Sequence, residues 1–517
     1  MTPRRVFPAH VAWKALAIAT VIAVCWTSGA RNASPVVRNV VIVTLDTTRA
    51  DLLSAYGGTQ VETPALDRLA REGVVFEQAM STAPLTLPAH CSLFTGLFPS
   101  HHGVRDNVDP PLGDSYTTVA EVLRDNAVRS GAFVGSAVVG ARRGLAQGFD
   151  TYSDGQPAQP NRLRRPADVV VDEAIDWITR HDASPFFTWV HLYDAHAPYA
   201  LREPYRTMYE DVPYLGAIAY MDAQIERLRR VLEQRHRLDE TLIVVAGDHG
   251  ESLGEHGEDA HGIFLYQSTI RVPMIVRAPG VRPKRVKDVV RLVDVMPTVL
   301  DVLRVRQPPM DGTSLVPIMT GRIEHLDLDA YAESLYPRRF GWGSLHALRA
   351  GRFKLVNAPQ PELYDLEKDP GEQHNIYHQR NDLGAVMSAA LNRMALDTPG
   401  DPAAAATRPD SESIERLAAL GYVSPSPTAH RSDPARQSVD PRDCISVYNE
   451  ILRARGASPV ARTRTVNAAS AFSGRRLFGD SGPCASGPLA SSMLSGPFLL
   501  ALEPPRPPDR TLPAASR

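Results

Sequence analysis

Val40-Val41-Ile42-Val43-Thr44-Leu45 is an unbroken apolar, largely β-branched run that ends in Asp46. Two further runs share its form. Phe186 to Leu192 is followed by Asp194 and His196, and Leu242-Ile243-Val244-Val245-Ala246 is followed by Asp248 and His249. Short apolar runs without alternation are the pattern of strands buried on both faces, as in a parallel sheet. Helical patterns lie between them, for example Ala167–Arg180 and Tyr214–Glu233. Strands alternating with helices predict an α/β fold with helices on both faces of the sheet. Ligands in such folds bind at the carboxyl ends of the strands. All three runs place Asp or His at that end.

The composition narrows the chemistry. The 517 residues carry 56 basic and 58 acidic side chains, a formal net charge of −2, so no general basic field exists to hold nucleic acid. The cysteines, Cys25, Cys91, Cys444 and Cys484, are too few and too scattered for a disulfide framework, and none forms a Cys-x-x-Cys pair. The chain has no Gly-x-Gly-x-x-Gly and no Gly-Lys-Ser/Thr loop, which argues against a nucleotide cofactor.

At the N-terminus, Arg4, Arg5 and Lys14 precede an apolar run from Ala15 to Trp26 broken only by Thr20. It is shorter than the ~20 residues of a spanning helix, and Ser28-Gly29-Ala30 puts small residues where signal peptidase cuts. Residues 1–30 read as an export signal, with an uncleaved membrane anchor over residues 11–26 as the alternative. Either places the body outside the cytoplasm, periplasmic or secreted. From about residue 326, short segments such as Leu345–Arg349 and Phe353–Val356 alternate with turns and predict a small antiparallel sheet. After Thr398 the chain is rich in Pro and Ala, and residues 457–517 show no periodicity. The expected division is a catalytic domain over residues 38–325, a C-terminal subdomain over 326–398, and a linker with a disordered tail over 399–517.

Asp46, Asp248 and His249, two carboxylates and an imidazole at strand ends, suit a divalent cation such as Ca, Mn or Zn. In Pro84-Leu85-Thr86-Leu87-Pro88-Ala89-His90, Thr86 has the look of a helix N-cap, with Pro88 in the first turn and Gly96 as the stop. A hydroxyl there feels the positive end of the helix dipole, and a bound cation would make it a nucleophile. His90, four residues on, shares its face and is a further catalytic candidate.

These segments resemble, in order, those of the sulfatase family within the alkaline phosphatase superfamily. Asp46 in Leu-Asp-Thr-Thr-Arg-Ala-Asp resembles the first metal strand end. Thr86-Leu-Pro-Ala-His-Cys-Ser-Leu-Phe-Thr-Gly resembles the nucleophile segment. His191-Leu-Tyr-Asp-Ala-His196 resembles the substrate loop, and Gly247-Asp-His-Gly-Glu251 the second metal segment. Leu363-Tyr-Asp-Leu-Glu-Lys-Asp-Pro-Gly-Glu372 resembles a motif of the C-terminal subdomain. The resemblance implies a three-layer αβα sandwich with a small C-terminal antiparallel sheet. It also implies an ester hydrolase acting on a small-molecule, glycan or lipid sulfate or phosphate. Three departures stand out. Thr86 occupies the place of the Cys or Ser that becomes formylglycine. His90 and Thr47 replace the motif's Arg and the second Asp of an Asp-Asp pair. His261 replaces the active-site Lys.

Threonine nucleophiles occur in phosphoryl-transferring relatives. The implied roles are Asp46, Thr86, Asp248 and His249 on one metal, and Asn107 donating to the transferring group. His196 and His261 act on the leaving group or the charged oxygens. Asp194, His196 and His261 could hold a second metal, although their spacing fits poorly. His191 and His256 rank behind His196, because a lone loop histidine usually faces solvent. Arg49 and Arg105 read as structural ion-pair partners, and Arg338, Arg339 and Trp342 as pocket wall. A head-group transferase is the second reading. It is disfavoured because such enzymes carry several membrane spans and one short apolar segment is found here. A non-catalytic binding protein on the same fold is the third, disfavoured because Asp46 and Asp248 are both retained.

Overall fold

The computed structural model describes residues 36–155, 163–395 and 439–454. The expected export signal or anchor, residues 396–398 of the expected subdomain, and residues 399–438 and 455–517 of the expected linker and tail lie outside the described residues.

Eight strands form the main sheet: β1 (Asn39–Leu45), β2 (Val74–Met80), β3 (Arg129–Val134), β4 (Thr151–Ser153), β5 (Phe186–Leu192), β6 (Thr241–Gly247), β7 (Arg271–Arg277) and β8 (Lys284–Arg291). Their order is β4-β3-β5-β1-β6-β7-β2-β8. The three runs first read as strands are β1, β5 and β6. They are neighbours, with β1 parallel to β5 on one side and to β6 on the other. The sheet is mixed, however, and not wholly parallel: β7 runs antiparallel to both β6 and β2.

Successive residues of β1 face opposite layers. Val40 and Ile42 join one hydrophobic core, while Val41, Val43 and Leu45 join the other. The second core takes the helices Pro64–Glu72, Ala167–His181 and Pro213–Gln234. The first takes Thr86–Thr95, Val119–Asp125 and Val295–Val302. Three layers result. Each fully buried Val, Ile or Leu contributes about 1.5–3 kcal/mol, so the sheet is held mainly by what it buries.

A second sheet of four antiparallel strands follows: β9 (Ala330–Ser334), β10 (Leu345–Ala350), β11 (Phe353–Asn357) and β12 (Glu362–Asp365), in order β12-β11-β10-β9. Met387 and Leu391 of the helix Asn381–Ala395 close its core.

One expectation needs correction. The stretch read as linker and tail contains a helix, Pro441–Ala454, whose Cys444, Tyr448 and Leu452 are buried in the core of the main domain. Spaced four residues apart, they form one apolar stripe. Cys444 is also disulfide-bonded, so the scattered cysteines supply one cross-link if not a framework. Cys91 is a free, buried thiol.

Candidate active site

The parallel register of β5, β1 and β6 sets Thr44 beside His191 and Leu45 beside Gly247. The carboxyl ends therefore deliver Asp46, His191, Asp248 and His249 to one place. Each carboxylate there has one oxygen held and one left over. Asp46 Oδ2 lies 3.2 Å from His191 Nε2, and Asp46 Oδ1 is buried with no hydrogen-bond partner. Asp248 Oδ1 accepts from the backbone N–H of Thr47 (3.1 Å) and of His249 (2.7 Å), and Asp248 Oδ2 is buried with none. Burial raises the pKa of Asp46 to about 7, although the charge of His261 pulls the other way. Burial, and then Asp46 beside it, raise that of Asp248.

A buried, dry carboxylate oxygen is costly unless a cation meets it. Ligand atoms of Asp46, Asp248 and His249 all lie within 4.8 Å of one another. Two hard oxygens and an imidazole suit a divalent ion, and the two orphaned oxygens are what such an ion would satisfy. The residues fit the group.

His249 Nδ1 is 3.0 Å from the carbonyl of Gly250. A carbonyl only accepts, so Nδ1 carries the proton and Nε2 presents its lone pair. That lone pair faces Thr86 Oγ1 at 3.3 Å. Gly250 is required for this turn: a Cβ there would stand 2.0 Å from the carbonyl oxygen of Ser268.

Thr86 is the first residue of the helix Thr86–Thr95, and the cap is Leu85. The expectation of Thr86 as N-cap is therefore off by one. Its hydroxyl makes no capping bond and is left for the site. Gly96 does stop the helix, in the left-handed conformation. Asn107 Oδ1 accepts from Leu87 N–H (2.8 Å), which satisfies one of the orphan donors of the first turn. Asn107 Nδ2 is buried with no hydrogen-bond partner.

His90 takes a different part from the one expected. Its Nδ1 lies 2.7 Å from the carbonyl of Thr86 and its Nε2 lies 3.0 Å from Thr44 Oγ1. Nδ1 must be the donor, so the Thr44 hydroxyl donates to Nε2. Both ring nitrogens are consumed in tying the nucleophile helix to β1, and burial keeps the ring neutral. His191 is no loop residue: it lies fully buried on β5. Gly135 N–H is shared between the His191 carbonyl (3.0 Å) and Nδ1 (3.3 Å), and with Nδ1 facing a donor the ring proton sits on Nε2 and points at Asp46. His90, His191 and Asp248 are close enough to hold an ion, but these tautomers leave neither imidazole a lone pair for one.

The second metal set does not assemble among the described residues. Asp194 Oδ1 accepts from Ala167 N–H (3.3 Å) at the start of the helix Ala167–His181. His196 donates Nδ1–H to the carbonyl of Ala197 (2.7 Å), stacks on Tyr193 and meets His261 edge-on, with ring centroids 5.1 Å apart. His261 lies 4.5 Å from His249, ring to ring, and its Nδ1 is 3.0 Å from Glu251 Oε1. Burial opposes charge on His261, but the Glu251 carboxylate together with the Asp46 and Glu258 charges overcomes it and raises the pKa to about 8. Burial, with the nearby Arg164 charge, lowers that of His196 well below the ordinary range. Two adjacent imidazoles thus favour opposite protonation states, the condition for dividing acid and base work.

The remaining candidates are structural. Arg49 pairs with Asp51 (2.7 Å) and Glu255 (2.5 Å), and Arg105 pairs with Glu333 through Nε (2.6 Å) and Nη2 (2.5 Å). His256 stacks on Tyr266. Of the expected pocket wall, Arg339 Nε bonds Asp106 Oδ2 (2.8 Å) beside Asn107, Arg338 is exposed with Ser344, and Trp342 stacks on Phe340. Sequence reading missed three supports: Glu251, Thr44 and Arg164. Glu251 was visible in the Asp-His-Gly-Glu motif. Arg164, which donates to the carbonyls of His196, Ala197 and Pro198, carries no local signal.

The family model described as Sulfatase matches residues 38–305, and one described as N-sulphoglucosamine sulphohydrolase, C-terminal, matches residues 254–396. The chain belongs to the sulfatase family. As a sulfatase-family ester hydrolase it is similar to an arylsulfatase of Clostridium perfringens, 25% identical over 438 residues, which span 65% of this chain and 90% of that protein. The choline-sulfatase of Rhizobium meliloti is 35% identical over 186 residues, 34% of this chain and 35% of its own. The structure of the phosphonate monoester hydrolase of Agrobacterium radiobacter superposes with a TM-score of 0.59 at 22% identity, covering 69% of this chain and 95% of its own. A structure solved in complex with its substrate D-glucosamine-2-N,6-O-disulfate gives 0.62 at 19%, covering 71% and 99%. These superpositions show that the chain shares the fold of those structures.

Proposed function

We propose that this sulfatase-family chain is an exported, metal-dependent hydrolase in which Thr86 is the nucleophile, and that phosphate esters or diesters are favoured over sulfate esters. The observation that carries the proposal is Thr86 Oγ1, uncapped at the first residue of a buried helix and 3.3 Å from the lone pair of His249 Nε2. A divalent cation held by Asp46, Asp248, His249 and Thr86 would supply the positive charge that acidifies the Thr86 hydroxyl and neutralises the ester's oxygens.

Thr86, its hydroxyl proton released to solvent, attacks phosphorus in line through Oγ1 as the bond to the ester oxygen breaks. His261, paired with Glu251, gives its proton to the departing alkoxide. Asn107 Nδ2 donates to a non-bridging oxygen. Water then cleaves the phosphothreonine, with neutral His196 taking the proton and Thr86 leaving as its alkoxide; the proton on His196 returns through solvent to His261 and resets the site. Phosphate is favoured on chemical grounds. Threonine cannot form the aldehyde hydrate through which formylglycine expels sulfate by elimination. The phosphonate monoester hydrolase among the structural relatives supports the same direction.

Single-turnover hydrolysis of matched aryl sulfate, phosphate monoester and phosphate diester tests this, using protein lacking residues 1–30 and reconstituted with Ca, Mn or Zn. Phosphate turnover with a trapped phosphothreonine, lost in Thr86→Ala, is expected. Sulfate turnover far above phosphate would overturn the substrate preference. Full activity in Thr86→Ala would overturn the nucleophile.

A further inference from the structure

The helix Pro441–Ala454 lies beyond both stretches matched by the family models. It nevertheless seats itself on the one loop that carries His261. Tyr448 Oη donates to the carbonyl of His261 (2.9 Å). Asn449 Oδ1 accepts from Asp259 N–H (3.1 Å), and Asn449 Nδ2 donates to the carbonyl of Gly257 (2.7 Å). Arg453 Nη2 reaches Asp259 Oδ2 (2.8 Å). These four contacts span residues 257–261 and arise from one face of one helix.

The loop is tied at Ala260 by Ser252 N–H (2.8 Å) and at Gly262 by the Ser334 hydroxyl (2.5 Å), and the helix adds the hold at His261 between them. The loop has no regular secondary structure between the short turn Glu255–Gly257 and the helix Gln267–Ile270. Its backbone takes left-handed φ at Gly257 (82°) and Gly262 (107°). The Tyr448 ring is itself buried and packed edge-on against Tyr336 (6.0 Å) and Phe340 (5.7 Å), so its hydroxyl is aimed by rigid neighbours. On the other side of the same residue, Glu251 holds the His261 ring. His261 is thus gripped at its backbone by Tyr448 and at its imidazole by Glu251.

We infer that the helix Pro441–Ala454 is a support of the active site, and that Tyr448 is a positioning residue that acts through His261. The inference rests on the leaving-group role given to His261 above. A donor displaced by about 1 Å costs on the order of 100-fold in rate. Tyr448→Phe keeps the ring and its packing and removes only the hydroxyl.

The test is a double-mutant cycle in the full chain, read as kcat and KM with an aryl phosphate diester, with the thermal midpoint measured for each variant. Tyr448→Phe is expected to lower kcat about tenfold or more, with KM changed less than about twofold. In the His261→Ala background the same substitution is expected to change kcat by less than about twofold, because the group it positions is gone. A purely structural hydroxyl would cost the same factor in both backgrounds, and that result overturns the inference. An unchanged kcat in Tyr448→Phe, with His261→Ala impaired, overturns it as well and leaves the proposed function standing. An unchanged kcat in His261→Ala overturns the leaving-group role first, and the inference with it.

Discussion

His191 Nε2 stands 3.2 Å from Asp46 Oδ2 across two neighbouring strands, and the proton between them belongs to the histidine, because Gly135 N–H faces the other ring nitrogen. A carboxylate of the proposed metal site is thereby held by a neutral donor that adds no charge of its own. Removing such a support typically costs ~10- to 100-fold in metal affinity. His191→Ala is expected to weaken divalent-ion binding by that factor, measured by titration calorimetry. His191→Gln, which can still donate to Asp46, should recover part of it.

Asn107 serves two partners with its two amide atoms, and one substitution separates them. Asn107→Asp keeps an acceptor for Leu87 N–H and removes the donor at Nδ2. The thermal midpoint is expected to hold within a few degrees while kcat falls on the order of 100- to 1,000-fold, the usual cost of one lost oxyanion donor.

Gly250→Ala would drive a methyl into the carbonyl oxygen of Ser268, 2.0 Å away. The backbone at 250 must shift, and with it the carbonyl that fixes the His249 tautomer. A loss of about 1–3 kcal/mol is expected from the urea midpoint, together with weakened metal binding. Wild-type values for both would show that the turn can relax.

His101 Nδ1 bonds Asp311 Oδ2 at 2.7 Å, and that hydrogen bond raises the histidine's pKa above its ordinary value. A base whose folded pKa is raised lends stability that is complete below its unfolded pKa, about 6.5, and fades as pH climbs through the folded value. Both side chains are partly exposed, so the contribution is about 0.5–1 kcal/mol. Unfolding free energies at pH 6 and pH 8.5 should show this decline in the wild type and its absence in His101→Asn.

The centre of this fold was legible because its three middle strands are buried on both faces and announce themselves as apolar runs. Their observed limits, Asn39–Leu45, Phe186–Leu192 and Thr241–Gly247, differ from the sequence reading by no more than a residue at either end. Strand direction was not legible. β7 is as apolar in its interior as β6, and burial on two faces reads alike whichever way a strand runs. Site residues at strand ends could be found for the same reason as the strands. The duties of His90 and His191 could not, because a tautomer is set by partners such as Thr44 and Gly135 that lie far away in sequence. The helix Pro441–Ala454 was hidden by its Pro- and Ala-rich surroundings, although Cys444, Tyr448 and Leu452 already carried its helical spacing.

The site is stitched from distant parts of the chain. Asp46 meets His191 over 145 residues, Thr86 meets His249 over 163, and Thr47 meets Asp248 over 201. Contacts of such separation form slowly, after local helices have already appeared. During refolding, ellipticity should therefore return in an early phase, while the capacity to capture a divalent ion returns only in the last one. A nascent chain would stay catalytically silent until β6 has docked beside β1.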